Sequence, residues 1–481
     1  REEGREEDDA REVGREDDPA ELAPPDIGER RSLRIARIEV LGNEQVPKQI
    51  ILETLAGEEL SVDAALLWPE DSRVQRARQR LLATGNFERV TLKIRPVAGD
   101  ATAAALIVDV EERGSLSVTN LYIGSSRMTP FRGGLQVREH NFLGRSVHIG
   151  GGFIWGTRPP AIASSRRQQG GRVFIEAPRL AGTRVGMGGA LYVLSASDPF
   201  RVAGAEDDPD PALFRTVDFT RIGGLLGVTF PLIADLSLGV DYRFERVSAL
   251  LPEDPRYYDP AGGSRRVDLY LQDGIHRQTA AHFRLVWDGR DLAATLGKGG
   301  RFALDVQFSS PIVGSEYEYI KLVAGGAYTF RLPWGHWITP TLVAGQIAGD
   351  APRYERFFTG DLSDWTPGRE LSFIYTTRAA IDVFGTGIDT RTLGDLFTRF
   401  DLEYVWPLFQ GSRVRGIKGG QLFLSTGVYT LVEPRELREF RRARGEMVAP
   451  PGFNANFGLR LDTVIGTLDL SVGNVLRRTP L

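Results

Sequence analysis

The chain has no cysteine, and only 3 methionines and 5 histidines in 481 residues. Without cysteine there is no disulfide, no thiolate metal site and no cysteine nucleophile. No run of about 18 apolar residues occurs, so no segment reads as a membrane-spanning helix. A surplus of charge is missing too. The formal net charge is −4, with no large basic face, so nucleic acid is not an expected partner. His-Glu-x-x-His, Gly-x-Ser-x-Gly and phosphate-loop patterns are all absent. No catalytic residue, metal site or cofactor is therefore expected, and the chain does not read as an enzyme. Nor does a charged-then-apolar signal segment open it, which is expected of a processed or truncated start.

What the chain does have is glycine, 55 residues of it, and a charge split along its length. Residues 1–30 hold 13 acidic and 5 basic side chains; the remainder holds 54 basic and 50 acidic. Residues 1–32 thus read as a disordered acidic leader, too poor in apolar surface to fold.

Residues 33–113 read as one small α+β domain in the order β-α-α-β-β. Ile35, Ile38, Val40 and Leu41 make a strand that Gly42-Asn43 closes. Val46–Leu55 carries Ile50, Ile51 and Leu55 at helical spacing. Pro69 is taken to open a second helix, with Val74, Ala77, Leu81 and Leu82 facing inward. Two strands follow, 90–95 and 103–110, around an Ala98-Gly99-Asp100 turn.

From 114 to 481 helical spacing nearly vanishes. Segments of about 9–13 residues alternate with period two. In Gly134–Gly156, Leu135 and Val137 alternate with Gln136 and Arg138, and Phe153 and Trp155 follow in the same manner. A soluble sandwich could not hide so many strands whose second face carries charge and glycine. In a membrane the requirement inverts: lipid takes the apolar face and water wets the other. Lipid offers the backbone no partners, so the sheet has to close. Short turns at 141–144, 178–183, 231–235 and 332–336 alternate with long polar loops at 195–213, 250–276 and 349–396, as in outer-membrane barrels. Aromatic residues at 155, 192, 230, 242, 330, 334, 337, 404, 406 and 429 are assigned to interfacial girdles. The expected fold is a transmembrane antiparallel β-barrel of about 16 strands. Loop lengths alone count fifteen. The sixteenth is Ser372–Phe384, and including it puts the 432–452 loop on the short-turn side.

The Leu-x-x-Thr-Gly-Asn-Phe-x-x-Val run of Leu81–Val90, with the strand before Gly42-Asn43, resembles a POTRA domain. "REHNFLGRS" (138–146), "VFIEAPRLAGTRVGMG" (173–188), "VWDGRDLAATLGKGGRF" (286–302), "YERFFTGDL" (354–362) and "LEYVWPL" (402–408) resemble, in that order, the barrel of the BamA/TamA superfamily. The resemblance implies an outer-membrane location with the POTRA domain in the periplasm. It implies an assembly factor without cofactor that receives unfolded outer-membrane or secreted polypeptides and inserts them through a lateral seam. Periplasmic chaperones or accessory lipoproteins and the lipid bilayer are the other implied partners. A secretion pore of the two-partner type is the alternative. The POTRA edge that would take a client is Val90, Leu92 and Ile94. The seam would lie between a first strand at Ser115–Ile123 (Ser115, Val118, Leu121) and a last strand at Gly466–Leu476 (Gly466, Leu470, Gly473).

The family's long loop carries an Arg-Gly-aromatic tip tied to an inward aspartate. Here "DLSDWTPGREL" stands in its place, and Ser425 replaces the aspartate. The candidates for a substitute tether are Arg369, Asp361, Asp364 and Glu403.

Overall fold

The computed structural model describes residues 31–476 except 70, 125–131, 158–168, 181–182, 205–209, 234, 291–297, 360–391, 415–416, 434–450 and 464–465. The acidic leader therefore lies outside the described residues but for Arg31 and Ser32, which already belong to the first strand.

The N-terminal domain runs β1 (Arg31–Leu41), α1 (Lys48–Ala56), β2 (Ala65–Trp68), α2 (Ser72–Ala83), β3 (Phe87–Val97) and β4 (Asp100–Glu112). Its sheet has the order β2-β1-β4-β3, with β1 and β4 parallel. Ile51 and Leu55 from α1, Ala77 and Leu81 from α2, and Leu106 and Val108 from β4 close one core, each fully buried. Two features differ from the sequence reading. The four-residue strand β2 was not expected; it is too short to show a period. Helix α2 begins at Ser72, not at Pro69. Its N-cap is Asp71, whose carboxylate accepts from the Leu67 and Arg73 backbone N–H groups at 3.0 Å each.

The rest of the described chain is one sheet of fifteen strands, every neighbour antiparallel. They are β5 (Leu116–Gly124), β6 (Arg132–Phe142), β7 (Val147–Gly156), β8 (Gln169–Ala177), β9 (Gly186–Arg201), β10 (Phe214–Ile233) and β11 (Leu236–Leu250). The small hairpin β12 (Arg256–Tyr258) and β13 (Ser264–Arg266) interrupts, and β14 (Gly274–Asp288), β15 (Gly299–Ser309), β16 (Tyr319–Arg331) and β17 (Trp337–Gly349) resume. A second small pair, β18 (Phe357–Thr359) and β19 (Thr392–Gly394), precedes β20 (Leu396–Val414), β21 (Ile417–Val432), β22 (Gly452–Thr463) and β23 (Gly466–Leu476). β23 lies beside β5, which closes the ring.

Period two explains the burial. Phe153, Leu191, Ile222, Phe244 and Phe283 point outward and are exposed, while Gln136, Arg221, Glu245 and Gln278 on the alternate positions are buried inside. Trp287, Phe302, Phe330 and Trp334 form an exposed aromatic cluster at the short-turn end. Tyr192 and Tyr429, expected in the girdle, instead face inward and are buried. Their place in the alternation decides this, not their chemistry.

The expected sixteenth strand, residues 372–384, lies outside the described residues, and β17 pairs directly with β20. The connection around 433–451 accordingly leaves from the long-loop end, opposite the short turn that joins β20 to β21. The sixteen-strand count had put it on the short-turn side.

Arg73 holds the Asp71 carboxyl below its ordinary value, down to about 2, chiefly by hydrogen bonding. Its folded pKa is thus lower than its unfolded value of about 4. The capping contribution is complete above about pH 4 and is lost as pH falls through about 2. We expect Asp71→Ala to cost about 1 kcal/mol at neutral pH. Hydrogen exchange on the α2 amides of the whole chain should show protection reduced about fivefold, and the difference between wild type and variant should close in acid.

Candidate functional site

Three places in the barrel combine geometry with chemistry: the lumen, the joint to the N-terminal domain, and the seam.

The lumen is crossed by the start of the β17–β20 connection. A single helical turn, Arg353–Glu355, sits inside the ring and is buried. Inward positions of five neighbouring strands meet it. Arg243 Nη2 donates to Glu355 Oε1 at 2.7 Å. Gln307 Nε2 donates to Oε2 at 3.2 Å, and Lys321 Nζ donates to the Glu355 carbonyl at 2.7 Å. Arg221 is fully buried; it grips Glu245 through Nη2 at 2.6 and 2.7 Å and stacks on the Tyr354 ring, 3.9 Å from its centroid. Charges this deep persist only when paired. Here three cations surround two carboxylates, and the tyrosine rings fill the remaining space.

The next residues anchor the turn. Arg356 Nη1 donates to Asp395 Oδ1 at 2.6 Å and stacks 3.5 Å over the Tyr270 ring. Phe357 is fully buried against Phe397, ring centroids 4.4 Å apart. Gly345 makes this packing feasible, because a Cβ there would lie 2.4 Å from the Phe397 ring and 2.6 Å from Phe357. β18 and β19 then pair, so the connection enters and leaves through one narrow neck.

The joint uses the Thr84-Gly85-Asn86 turn. His148 Nε2 donates to the Thr84 carbonyl at 3.0 Å, and Asn86 Nδ2 donates to Ser146 Oγ at 2.7 Å. Gly85 has φ +77°, and a Cβ there would stand 2.6 Å from His140 Nδ1, so glycine is required twice over. On α1, Thr54 Oγ1 accepts from Arg179 at 3.2 Å and the Gly57 carbonyl accepts from Arg184 at 2.8 Å. All these barrel residues lie in the first two short turns or the strand ends beside them. Between the domain and the barrel mouth lies a cleft of about 1150 Å³. Gln49, Glu53 and Arg80 line one side, and Arg138, Arg172 and Glu176 the other.

The seam is the third place. Fifteen strands in strict alternation leave β5 and β23 running the same way, and among the described residues no ladder joins them. Val118 and Leu121 lie in β5, with Ser115 just before it, and Gly466, Leu470 and Gly473 lie in β23. Ser115 is tied to β6 instead, its carbonyl accepting from the His140 N–H at 2.7 Å.

The other sequence candidates are placed as follows. β3 is an edge strand, but the Val90 and Leu92 side chains point into the domain core and Ile94 packs against it. Only the backbone of that edge is open, and Arg78 Nε already donates to the Val90 carbonyl at 2.9 Å. Glu403 and Ser425 are buried and directly opposed in the lumen wall, and Arg460 lies 3.6 Å from Glu403. Arg369, Asp361 and Asp364 lie outside the described residues. Sequence reasoning missed Glu355, Arg356 and their partners. Their signal in the sequence is "YERFF" (354–358), a glutamate and an arginine set among three aromatic residues.

Comparison with known proteins agrees with this architecture. Residues 141–479 match the Omp85 superfamily domain. The chain is similar in structure to BamA from Haemophilus ducreyi lacking POTRA domains 1–3, with TM-score 0.51, 13% identity, and coverage of 93% of this chain and 82% of that one. It is similar to CdiB from Acinetobacter baumannii, with TM-score 0.52, 10% identity, and coverage of 93% and 71%. CdiB from Escherichia coli gives TM-score 0.51 at 10% identity, with coverage of 97% and 90%.

Replacing Glu355 by Gln removes the carboxylate that lies 2.7 Å from Arg243 and 3.7 Å from Lys321, and leaves Arg243 only Glu245, 3.6 Å away. We expect a loss of about 3–5 kcal/mol, read as a lower temperature at which the barrel loses its compact mobility on gels. Ion conductance in planar bilayers should rise as the turn leaves the lumen.

Proposed function

The chain belongs to the Omp85 superfamily, and from that premise we propose that it is a non-enzymatic assembly factor of the outer membrane. It receives unfolded outer-membrane or secreted polypeptides at its N-terminal POTRA domain and inserts them through the seam between β5 and β23. The POTRA domain and the short turns it touches face the periplasm, and the long loops face outward. Periplasmic chaperones or accessory lipoproteins deliver the client.

The observation that carries this reading is the seam between two strands of the same direction, which among the described residues no ladder joins. A barrel of even strand number alternates all the way round. One client strand, laid antiparallel to both edges, would satisfy each of them and restore the alternation. The edges bind through backbone groups, so the side chains of the client are little constrained. The buried Arg353–Glu355 turn supports the lateral route, because it lies across the lumen against Arg221, Arg243 and Lys321. A polypeptide-secretion pore for one dedicated substrate is the alternative, and it requires that turn to withdraw.

The test follows a urea-unfolded outer-membrane barrel added to liposomes that contain this protein. Client folding should be faster than with empty liposomes, and the gain should disappear without residues 31–113. The chain has no cysteine, so cysteine pairs placed across β5 and β23 report cleanly. Oxidation should abolish the gain and reduction restore it. Full acceleration with the seam locked would exclude the lateral route, and large stable conductance without acceleration would favour the pore.

A further inference from the structure

The outer face of the barrel carries a feature that client handling does not use. Arg246 on β11 and Arg277 on β14 stand directly opposite each other in register. Both occupy outward positions, in line with Phe244 and with Ile275, which is 58% exposed. The same row continues through Ile222 on β10 and Val193 on β9. Together they border an outward groove of about 910 Å³ with an almost wholly apolar floor.

Two like charges facing each other across a ladder destabilise a sheet. A carboxylate on that face would be the ordinary remedy. Glu316, beside Arg277, is shared: it accepts from His276 Nδ1 at 2.8 Å and from the Arg277 backbone N–H at 3.2 Å, and its charge acts on both side chains without an ion pair to the Arg277 guanidinium. Arg277 donates through Nε to the Gly314 carbonyl at 2.7 Å, which fixes its direction and leaves its two terminal amino groups without partners among the described residues. Arg246 has no partner among those residues.

Height along the strand supplies a second argument. Arg277 stands ten residues along β14 from the girdle residue Trp287, on the same face. At about 3.3 Å per residue and about 40° of tilt, that separation is about 25 Å along the axis. The apolar band of such barrels is about that tall. The arginine pair thus lies at headgroup level on the long-loop side, directly above apolar surface suited to acyl chains.

We propose that Arg246 and Arg277 form a site for a phosphate-bearing lipid of the outer leaflet. The phosphate bridges the two guanidinium groups through paired charge-assisted hydrogen bonds, and the acyl chains lie in the groove beside Phe244, Ile222 and Val193. The term outer leaflet rests on the orientation proposed above. Lipid binding is read without any insertion assay, so either proposal can fail alone.

The experiment uses the whole purified chain in detergent micelles doped with phosphatidic acid or with diacylglycerol of the same acyl chains, and native mass spectrometry counts bound lipid. The unaltered protein should retain phosphatidic acid at least about tenfold better than diacylglycerol. Arg246→Gln with Arg277→Gln should abolish the preference, whereas Arg266→Gln, on the exposed hairpin, should leave it unchanged. Millimolar inorganic phosphate should not displace the lipid. Equal retention of the two lipids by unaltered protein would overturn the site, and so would an intact preference in the double variant. Displacement by inorganic phosphate would reassign it to a soluble anion. The first comparison needs no variant, so a failure of the double variant to fold does not blunt the test.

Discussion

In hydrocarbon no solvent completes an unpaired backbone, and this constraint organises the whole chain. It requires a closed ring of strands. It also determines where the ring is weakest, since one junction, between β5 and β23, has proximity without a described ladder. The other fourteen junctions are continuous, so local opening concentrates at that single place.

The inside is organised by a different rule. A lumen lined with Arg221, Arg243 and Lys321 is tolerable only if anions enter it. Glu245 comes from the wall, but Glu355 is brought in by a connection that dips down from the long-loop end. The wall therefore specifies its own stopper. Tyr354, Arg356 and Phe357 surround the glutamate with stacking and apolar contacts that hold the turn in register with the strands.

The fold class was legible because period-two alternation is a direct imprint of a two-faced sheet. The short turns were legible because glycine and proline mark them. Strand β2 was not, since four residues show no period. Tyr192 and Tyr429 were misassigned because aromatic identity was weighed above parity along the strand. The lumen cluster was illegible for another reason. Its partners are spread from residue 221 to residue 355, and only the register of five strands brings them together. The Leu81–Val90 run was noticed as a resemblance. Its physical reason, a glycine beside His140 and an asparagine on Ser146, became visible only at the joint.

Among the described residues, the hydrogen bonds of that joint go to the turns between β6 and β7 and between β8 and β9, or to the strand ends beside them. The small domain is therefore fastened off-centre, to the part of the rim that follows the first edge of the seam, with no described contact to the β20–β23 side. A load on the domain reaches the barrel as leverage and not as uniform tension. A pull on the domain therefore acts first on the β6–β9 rim, a few strands from the β5–β23 edge pair.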